Sequence, residues 1–139
     1  MADRALLVDD DPEVITTTRW MLETSGFIVE TAASGREALE ALKARLPTVV
    51  LLDVTMPEMS GFEVLKMIRS DPTTAKLPVI LVTARSGDRD FLTGYQMDAD
   101  YYVAKPYSRD DLVYAIRLVL GKHGVAETSG GGAKGDAGS

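Results

Sequence analysis

Short apolar runs alternate along this chain with segments in which apolar residues recur at helical spacing. A short apolar run bounded by polar or turn-forming residues is typical of a buried strand, whereas apolar residues three and four positions apart indicate an amphipathic helix. Five strands are predicted, at 5–8, 27–32, 48–53, 77–83 and 101–104. Five helices are predicted to follow them, at 12–25, 34–46, 61–69, 89–97 and 108–120.

The alternation of strands and helices predicts an α/β fold. Mostly apolar strands separated by helices indicate a parallel sheet that is covered by helices on both faces, a doubly wound arrangement. After residue 120 the hydrophobic periodicity is lost, and the sequence becomes rich in glycine and small polar residues. We therefore expect one folded domain over 1–120 and a flexible tail or linker over 121–139.

Composition narrows the class of function. The chain has 139 residues, a net charge of −6 and a sequence pI near 4.7, which argues against binding to nucleic acid or to an anionic membrane. It contains no cysteine, which excludes disulfides, thiolate metal sites and cysteine nucleophiles. No apolar run approaches the ~18 residues of a membrane span. A cytoplasmic protein without membrane segments is expected.

Polar residues stand at the ends of four predicted strands. Asp9 and Asp10 end the first strand, Asp53 the third, Thr83 the fourth and Lys105 the fifth. The carboxyl ends of parallel strands share one edge of the sheet, so these groups can converge. Three carboxylates so close need a counter-ion, and oxygen ligands favour Mg²⁺. The pattern predicts a site for phosphoryl chemistry, in which the lysine and the threonine hydroxyl contact phosphoryl oxygens.

Four motifs, in order and over residues 4–120, resemble those of the response-regulator receiver domains of two-component signalling, with a chemotaxis-regulator-like pattern. They are V-D-D at 8–10, L-L-D-V-T-M-P-E-M-S-G at 51–61, V-T-A at 82–84 and Y-V-A-K-P at 102–106. The resemblance implies a flavodoxin-like (βα)5 fold with strand order 2-1-3-4-5. It also implies a phosphorylatable signalling switch, which catalyses only its own phosphorylation and autodephosphorylation.

The resemblance assigns roles to individual residues. Asp53 would accept a phosphoryl group from a phosphohistidine on a partner, in a Mg²⁺-dependent reaction. Asp10, Asp53 and the backbone carbonyl of Thr55 would bind Mg²⁺ directly, and Asp9 would bind it through water. Lys105 would pair with the phosphoryl group.

Further roles concern the response to phosphorylation. Thr83 and Tyr102 would form the switch pair, which reshapes the face built from the fourth helix, fifth strand and fifth helix. That face is a possible homodimer contact. Thr55 and Arg85 would tune the lifetime of the acyl phosphate, and Pro106 would follow a cis peptide bond.

Several alternatives stay open at this stage. Asp9-x-Asp11 also satisfies the D-x-D motif of haloacid-dehalogenase-type phosphohydrolases, although Asp53 would then have no role; in the receiver interpretation Asp11 starts the first helix. The single histidine, His123, is interpreted as incidental, so a sensor histidine kinase or a phosphotransfer protein is the expected donor. The chain is either a stand-alone receiver or the receiver of a longer regulator, with a downstream protein or an output domain as its target.

Overall fold

All five predicted strands form in the computed structural model, which describes residues 3–83 and 99–122. They are β1 (Arg4–Val8), β2 (Ile28–Ala32), β3 (Val49–Asp53), β4 (Val79–Thr83) and β5 (Tyr101–Ala104). The helices of these two ranges are α1 (Pro12–Glu23), α2 (Gly35–Ala44), α3 (Gly61–Ser70) and α4 (Arg109–Lys122). Helix α4 is the fifth predicted helix, because the one predicted at 89–97 lies outside the described residues.

The strands make one parallel sheet in the order β2-β1-β3-β4-β5, which confirms the predicted fold class and strand order. The chain runs from β1 outward to β2 and then returns to the other side of β1 with β3. This reversal opens a crevice beyond the carboxyl ends of β1 and β3, where ligands bind in folds of this type. Asp53 is the last residue of β3, and Asp9 directly follows β1.

Two apolar clusters hold the helices against the sheet. Successive side chains of a strand point to opposite faces, so alternate residues of one strand belong to different clusters. The cluster under α2 and α3 includes Leu52 and Leu65, and the cluster under α1 and α4 includes Leu51 and Ile116. These four side chains are fully buried. Each such side chain stabilises the fold by about 1.5–3 kcal/mol, which is why β3 and β4 are apolar on both faces.

The helix ends differ from the predicted ends by a few residues, which is common because the terminal turns of helices fray. Helix α4 continues through Gly121 to Lys122, so its last two residues belonged to the predicted tail. A glycine weakens a helix by about 1 kcal/mol but does not terminate it. The rest of the predicted tail, which includes His123, lies outside the described residues. No helix in 3–83 or 99–122 is long and apolar enough to cross a membrane.

A partly buried ion pair fixes the edge of the sheet opposite the crevice. The Arg69 guanidinium, near the end of α3, donates to the Asp100 carboxylate at 2.9 Å and to the Leu77 carbonyl at 2.7 Å. The same carboxylate oxygen accepts a hydrogen bond from the Val79 backbone N–H at 2.8 Å. These contacts join the end of α3 to the starts of β4 and β5. This pair could not be predicted from the sequence, because its partners lie 31 positions apart without any motif.

The start of α3 lies directly against the end of β3, and a glycine makes this possible. The Gly61 N–H donates to the Val54 carbonyl at 2.9 Å. A Cβ added at Gly61 would collide with the backbone carbonyl of Asp53. The loop that carries Thr55 is therefore closed so tightly that only glycine fits at its end.

We expect Gly61→Ala to lower the free energy of unfolding by about 1–3 kcal/mol, since rigid backbone must move to accept the methyl group. Gly121→Ala is the matched control, because a Cβ there has no atom within 4 Å. In α4 that change should leave stability unaltered or raise it slightly. Chemical denaturation of both variants measures the difference, and equal stabilities would contradict the close approach.

Candidate functional site

Three carboxylates meet at the crevice beyond the carboxyl ends of β1 and β3. Asp9, Asp10 and Asp53 each offer one oxygen, and these oxygens lie within 4.8 Å of one another. Asp9 is 3% exposed and Asp53 is 5% exposed, whereas Asp10 is exposed to solvent. Two of the three charges are thus removed from water, which is costly unless a cation compensates them.

The three consecutive aspartates are directed to different contacts by the turn between β1 and α1. The Asp9 N–H donates to the Ala32 carbonyl at 3.1 Å and so continues the ladder with β2. One Asp9 carboxylate oxygen accepts from the Asp11 N–H at 2.9 Å. Asp11 is the N-cap of α1, and its side chain accepts from the Glu13 N–H at 2.9 Å. The Asp11 carboxylate thus stabilises the helix start.

Lys105 supplies the positive charge of the site. Its Nζ lies 3.0 Å from an Asp9 carboxylate oxygen and 3.3 Å from an Asp53 oxygen. Its backbone N–H donates to the Thr83 carbonyl at 2.8 Å, which holds the residue beside the end of β4. The peptide bond to Pro106 is cis, the conformation that the resemblance implied. One ammonium group therefore bridges the two buried carboxylates.

Burial and like charge weaken the acidity of Asp53. Removal from solvent is the main cause that raises its pKa to about 6, and the neighbouring charge of Asp9 acts in the same direction. Lys105 lowers the pKa of Asp53, but not enough to offset these effects. For Lys105, burial acts to lower the pKa, yet the contacts with Asp9 and Asp53 outweigh it and the pKa is raised. One lysine compensates the acidic cluster only in part.

The acidic cluster opens into a cleft of about 470 Å³. The residues around it are mainly acidic, with one lysine and one threonine: Asp9, Asp10, Asp11, Pro12, Asp53, Thr55 and Lys105. Three clustered carboxylate oxygens against a single ammonium leave room for a further positive charge, and an all-oxygen donor set suits Mg²⁺. The residues present thus fit the metal that the sequence predicted.

Thr83 and Tyr102, the predicted switch pair, lie on one face of the sheet. Leu81 pairs with Tyr102 and Thr83 pairs with Ala104, so the two side chains share a face. Thr83 is fully buried, and its hydroxyl has no hydrogen-bond partner within the described part of the chain. Tyr102 is partly buried and packs against the apolar cluster under α2 and α3. An unsatisfied buried hydroxyl costs about 1–3 kcal/mol, which a functional partner would offset.

Some predicted features fall on residues that the structure does not describe. These are Arg85, which was expected to tune the acyl phosphate, Ala84 of the V-T-A motif, and the helix predicted at 89–97. The described part of the switch face therefore consists of β5 and α4.

The sequence profile of the response regulator receiver domain matches residues 5–117. The chain belongs to this family. Its receiver fold is also that of a response regulator from Chloroflexus aurantiacus known from its crystal structure: the TM-score is 0.84 at 33% identity, covering 87% of this chain and 99% of that one.

Related receivers are found in proteins of different organisation. A response regulator of Synechocystis is 36% identical over 126 residues, which is 90% of this chain and 54% of the relative. The chain thus spans about half the length of the curated relatives it matches first. The receiver domain of a sensor histidine kinase from Pseudomonas aeruginosa has a TM-score of 0.80 at 26% identity, covering 87% of this chain and 99% of that one. That structure contains a magnesium ion in its active-site cleft.

The phosphohydrolase alternative finds no support. The family match and the relatives are response regulators, and Asp11, the second aspartate of the D-x-D motif, caps α1 instead of joining the carboxylate cluster. One contact near the site could not be predicted from the sequence. The hydroxyls of Thr18 and Tyr107 lie 2.7 Å apart and 89 positions apart in sequence, and no motif signals such a pair.

Asp53→Asn should stabilise the metal-free protein at neutral pH. The folded state holds the Asp53 proton up to about pH 6, whereas the unfolded state releases it near pH 3.8. Wild-type stability therefore falls as the pH rises between these values, and the asparagine variant lacks that loss. We expect a gain of about 1–3 kcal/mol in the free energy of unfolding above pH 6 that disappears towards about pH 4.

Denaturation in chelator-treated buffer across this pH range measures the effect. Glu30→Gln, which changes an exposed carboxylate on β2, is the control and should show no such pH-dependent gain. If Asp53→Asn raised the free energy of unfolding equally at the acidic and the neutral end of this pH range, the raised pKa of Asp53 would be contradicted.

Proposed function

We propose that this receiver is a phosphorylatable signalling switch in which Asp53 accepts a phosphoryl group from a phosphohistidine of a partner protein. The observation that carries the proposal is the Lys105 ammonium, which lies within 3.3 Å of both Asp53 and Asp9 at the mouth of an acidic cleft. A buried carboxylate beside a cation is suited to nucleophilic attack, provided that the incoming negative charge is also neutralised.

The residues of the chain have distinct tasks in this transfer. An ionised Asp53 oxygen attacks phosphorus, the P–N bond to the histidine breaks, and the imidazole leaves with the bonding electrons. At neutral pH Asp53 is mostly ionised even with its pKa near 6. Lys105 moves from the carboxylates to an oxygen of the transferred phosphoryl group, since that group carries more charge. The Thr83 hydroxyl, buried and without a partner among the described residues, donates to another such oxygen.

Mg²⁺ would be held by Asp10, Asp53 and the Thr55 backbone carbonyl, with Asp9 acting through water. The contacts of Asp9 agree with this division, because one of its oxygens accepts from Asp11 and the other faces Lys105. Asp10 and Thr55, in contrast, are exposed and line the cleft. The bound ion would supply neutralisation of phosphoryl charge. No other residue of the described chain is needed as a ligand.

The output would begin with Thr83. As its hydroxyl turns toward the phosphoryl oxygens, space is released on the face that it shares with Tyr102, and the tyrosine ring turns inward. The neighbouring surface of β5 and α4 exposes Tyr114 and Leu118. This surface, together with the helix predicted at 89–97, is the proposed contact for a downstream partner, an output domain or a second copy of the chain.

The phosphodonor would be a sensor histidine kinase or a histidine phosphotransfer protein of the cytoplasm. The only histidine of the sequence is His123, beyond the matched receiver region. The receiver over 1–120 would act on its target directly or through a longer protein that continues after the glycine-rich segment at 121–139. We expect neither nucleic acid nor a membrane to bind to the receiver itself, because its net charge is negative.

Phosphorylation with phosphoramidate and Mg²⁺, followed by borohydride reduction and peptide mapping, should place the label on Asp53. Borohydride converts an aspartyl phosphate to homoserine, so the position is read directly. We expect Asp53→Asn to abolish the label, since an amide is not a competent nucleophile. A label on Asp9 would overturn the receiver mechanism and restore the phosphohydrolase alternative.

Asp10→Ala should weaken Mg²⁺ binding by at least about tenfold and abolish Mg²⁺-dependent phosphorylation with it. Equilibrium titration with Mg²⁺, followed by calorimetry, measures the dissociation constant. Asp110→Ala, which removes an exposed carboxylate from the first turn of α4, is the control. Unchanged affinity in Asp10→Ala would show that the metal is bound elsewhere.

A further inference from the structure

A hydrogen bond between two hydroxyls joins α1 to the loop that carries Lys105. The Thr18 and Tyr107 hydroxyl oxygens lie 2.7 Å apart, and either group can donate. Thr18 lies on α1 and is 1% exposed, whereas Tyr107 stands two residues after Lys105. The residues are 89 positions apart, so the bond exists only because the fold brings these two segments together.

Packing does not account for these two hydroxyls. The Tyr107 ring packs against the apolar cluster under α1 and α4, and a phenylalanine ring would fill the same space. Thr18 is buried on the inner side of α1, where a valine of nearly equal volume would fit. The Thr18 hydroxyl is buried and would be costly to leave without a partner, and the hydroxyl of the partly buried Tyr107 supplies that partner. The pair therefore specifies the relative position of two segments.

Both segments are tied to the Asp9–Lys105 ion pair of the site. Helix α1 is fixed to Asp9, because the Asp11 cap donates its N–H to the Asp9 carboxylate. The loop after β5 is fixed to Asp9 as well, through the Lys105 ammonium at 3.0 Å. The Thr18–Tyr107 hydrogen bond is a further link between α1 and the loop after β5, in addition to their contacts with Asp9. On the other side of Tyr107, Ser108 and Asp111 exchange two hydrogen bonds at the start of α4.

We propose that Thr18 and Tyr107 are positioning residues for Lys105: their hydrogen bond holds the loop after β5 so that the ammonium stays directed at Asp53. The proposal rests on the proposed function, because it assigns these residues a role in the phosphorylation of Asp53. Neither residue touches the acidic cleft; both line a neighbouring cavity, to which Lys105 also contributes. Lys105 lines both the cavity and the cleft, and the effect of Thr18 and Tyr107 on phosphorylation would pass through this residue.

Tyr107→Phe and Thr18→Val should each slow phosphorylation of Asp53 by phosphoramidate by about tenfold, since a small displacement of a charged group strongly reduces transfer. The Mg²⁺ dissociation constant should stay unchanged, because the proposed ligands are untouched. Thr18→Ser keeps the hydroxyl and should retain most of the rate. Thr17→Val is the matched control, an exposed threonine on the same helix and at the same cavity.

The double variant Thr18→Val with Tyr107→Phe separates positioning from stability. It leaves no hydroxyl buried alone, so its stability should return towards that of the wild type. Its phosphorylation rate should nevertheless be as low as that of either single variant, because one shared bond has been lost. Rates and unfolding free energies are measured on the same preparations, well below the unfolding temperature.

The positioning role is overturned if the folded single variants are phosphorylated at the wild-type rate. It is also overturned if the double variant recovers its phosphorylation rate together with its stability, or if the rate losses of the two single variants multiply in the double variant. Failure of the proposed function has a different signature. If the wild-type protein itself is not labelled on Asp53, the switch mechanism fails, whereas a labelled wild type with equally fast variants removes only the role of Thr18 and Tyr107.

Discussion

The structure depends on how negative charge is accommodated where β1 and β3 end. Asp9 and Asp53 are almost fully buried and Asp10 stands beside them, and within residues 3–83 and 99–122 the Lys105 ammonium is the one cation paired with them. Burial and mutual repulsion raise the pKa of Asp53 to about 6, so the site stores unfavourable energy in the absence of further cations. In the proposed mechanism, a bound metal ion would offset this negative charge and so allow Asp53 to accept a phosphoryl group.

The rest of the fold supports this cluster with rigid contacts. Gly61 lets α3 begin against the carbonyl of Asp53, and the Arg69–Asp100 pair fixes the opposite edge of the sheet. Around the site, the backbone of Lys105 is held by Thr83, and the loop beyond it by the Thr18–Tyr107 bond. Thr83 is fully buried, and its hydroxyl has no hydrogen-bond partner among the described residues. Because the surrounding contacts are rigid, the Thr83 hydroxyl is the group that would move when a negatively charged phosphoryl group is bound.

Much of the fold and of the site could be predicted from the sequence. Apolar runs in a strict alternation with helical segments define a parallel sheet, and parallel strands bring their carboxyl ends to one edge. The sequence therefore predicted that Asp9, Asp10, Asp53 and Lys105 lie together, which the structure bears out. What escaped prediction are contacts between distant side chains, such as Thr18 with Tyr107 and Arg69 with Asp100, because neither periodicity nor a local motif encodes them.

The sequence by itself determined which elements form, their order, and which charged groups reach the common edge, since these follow from local periodicity and from the position of polar residues at strand ends. The sequence also predicted that Asp11 starts the first helix, and it is the N-cap of α1. Only the tertiary structure decided that Asp9 is buried against Lys105 while Asp10 faces solvent. It also decided that Asp53 is buried enough for its pKa to rise to about 6. Burial and charge pairing depend on distances between segments far apart in the chain, and the fold alone sets those distances.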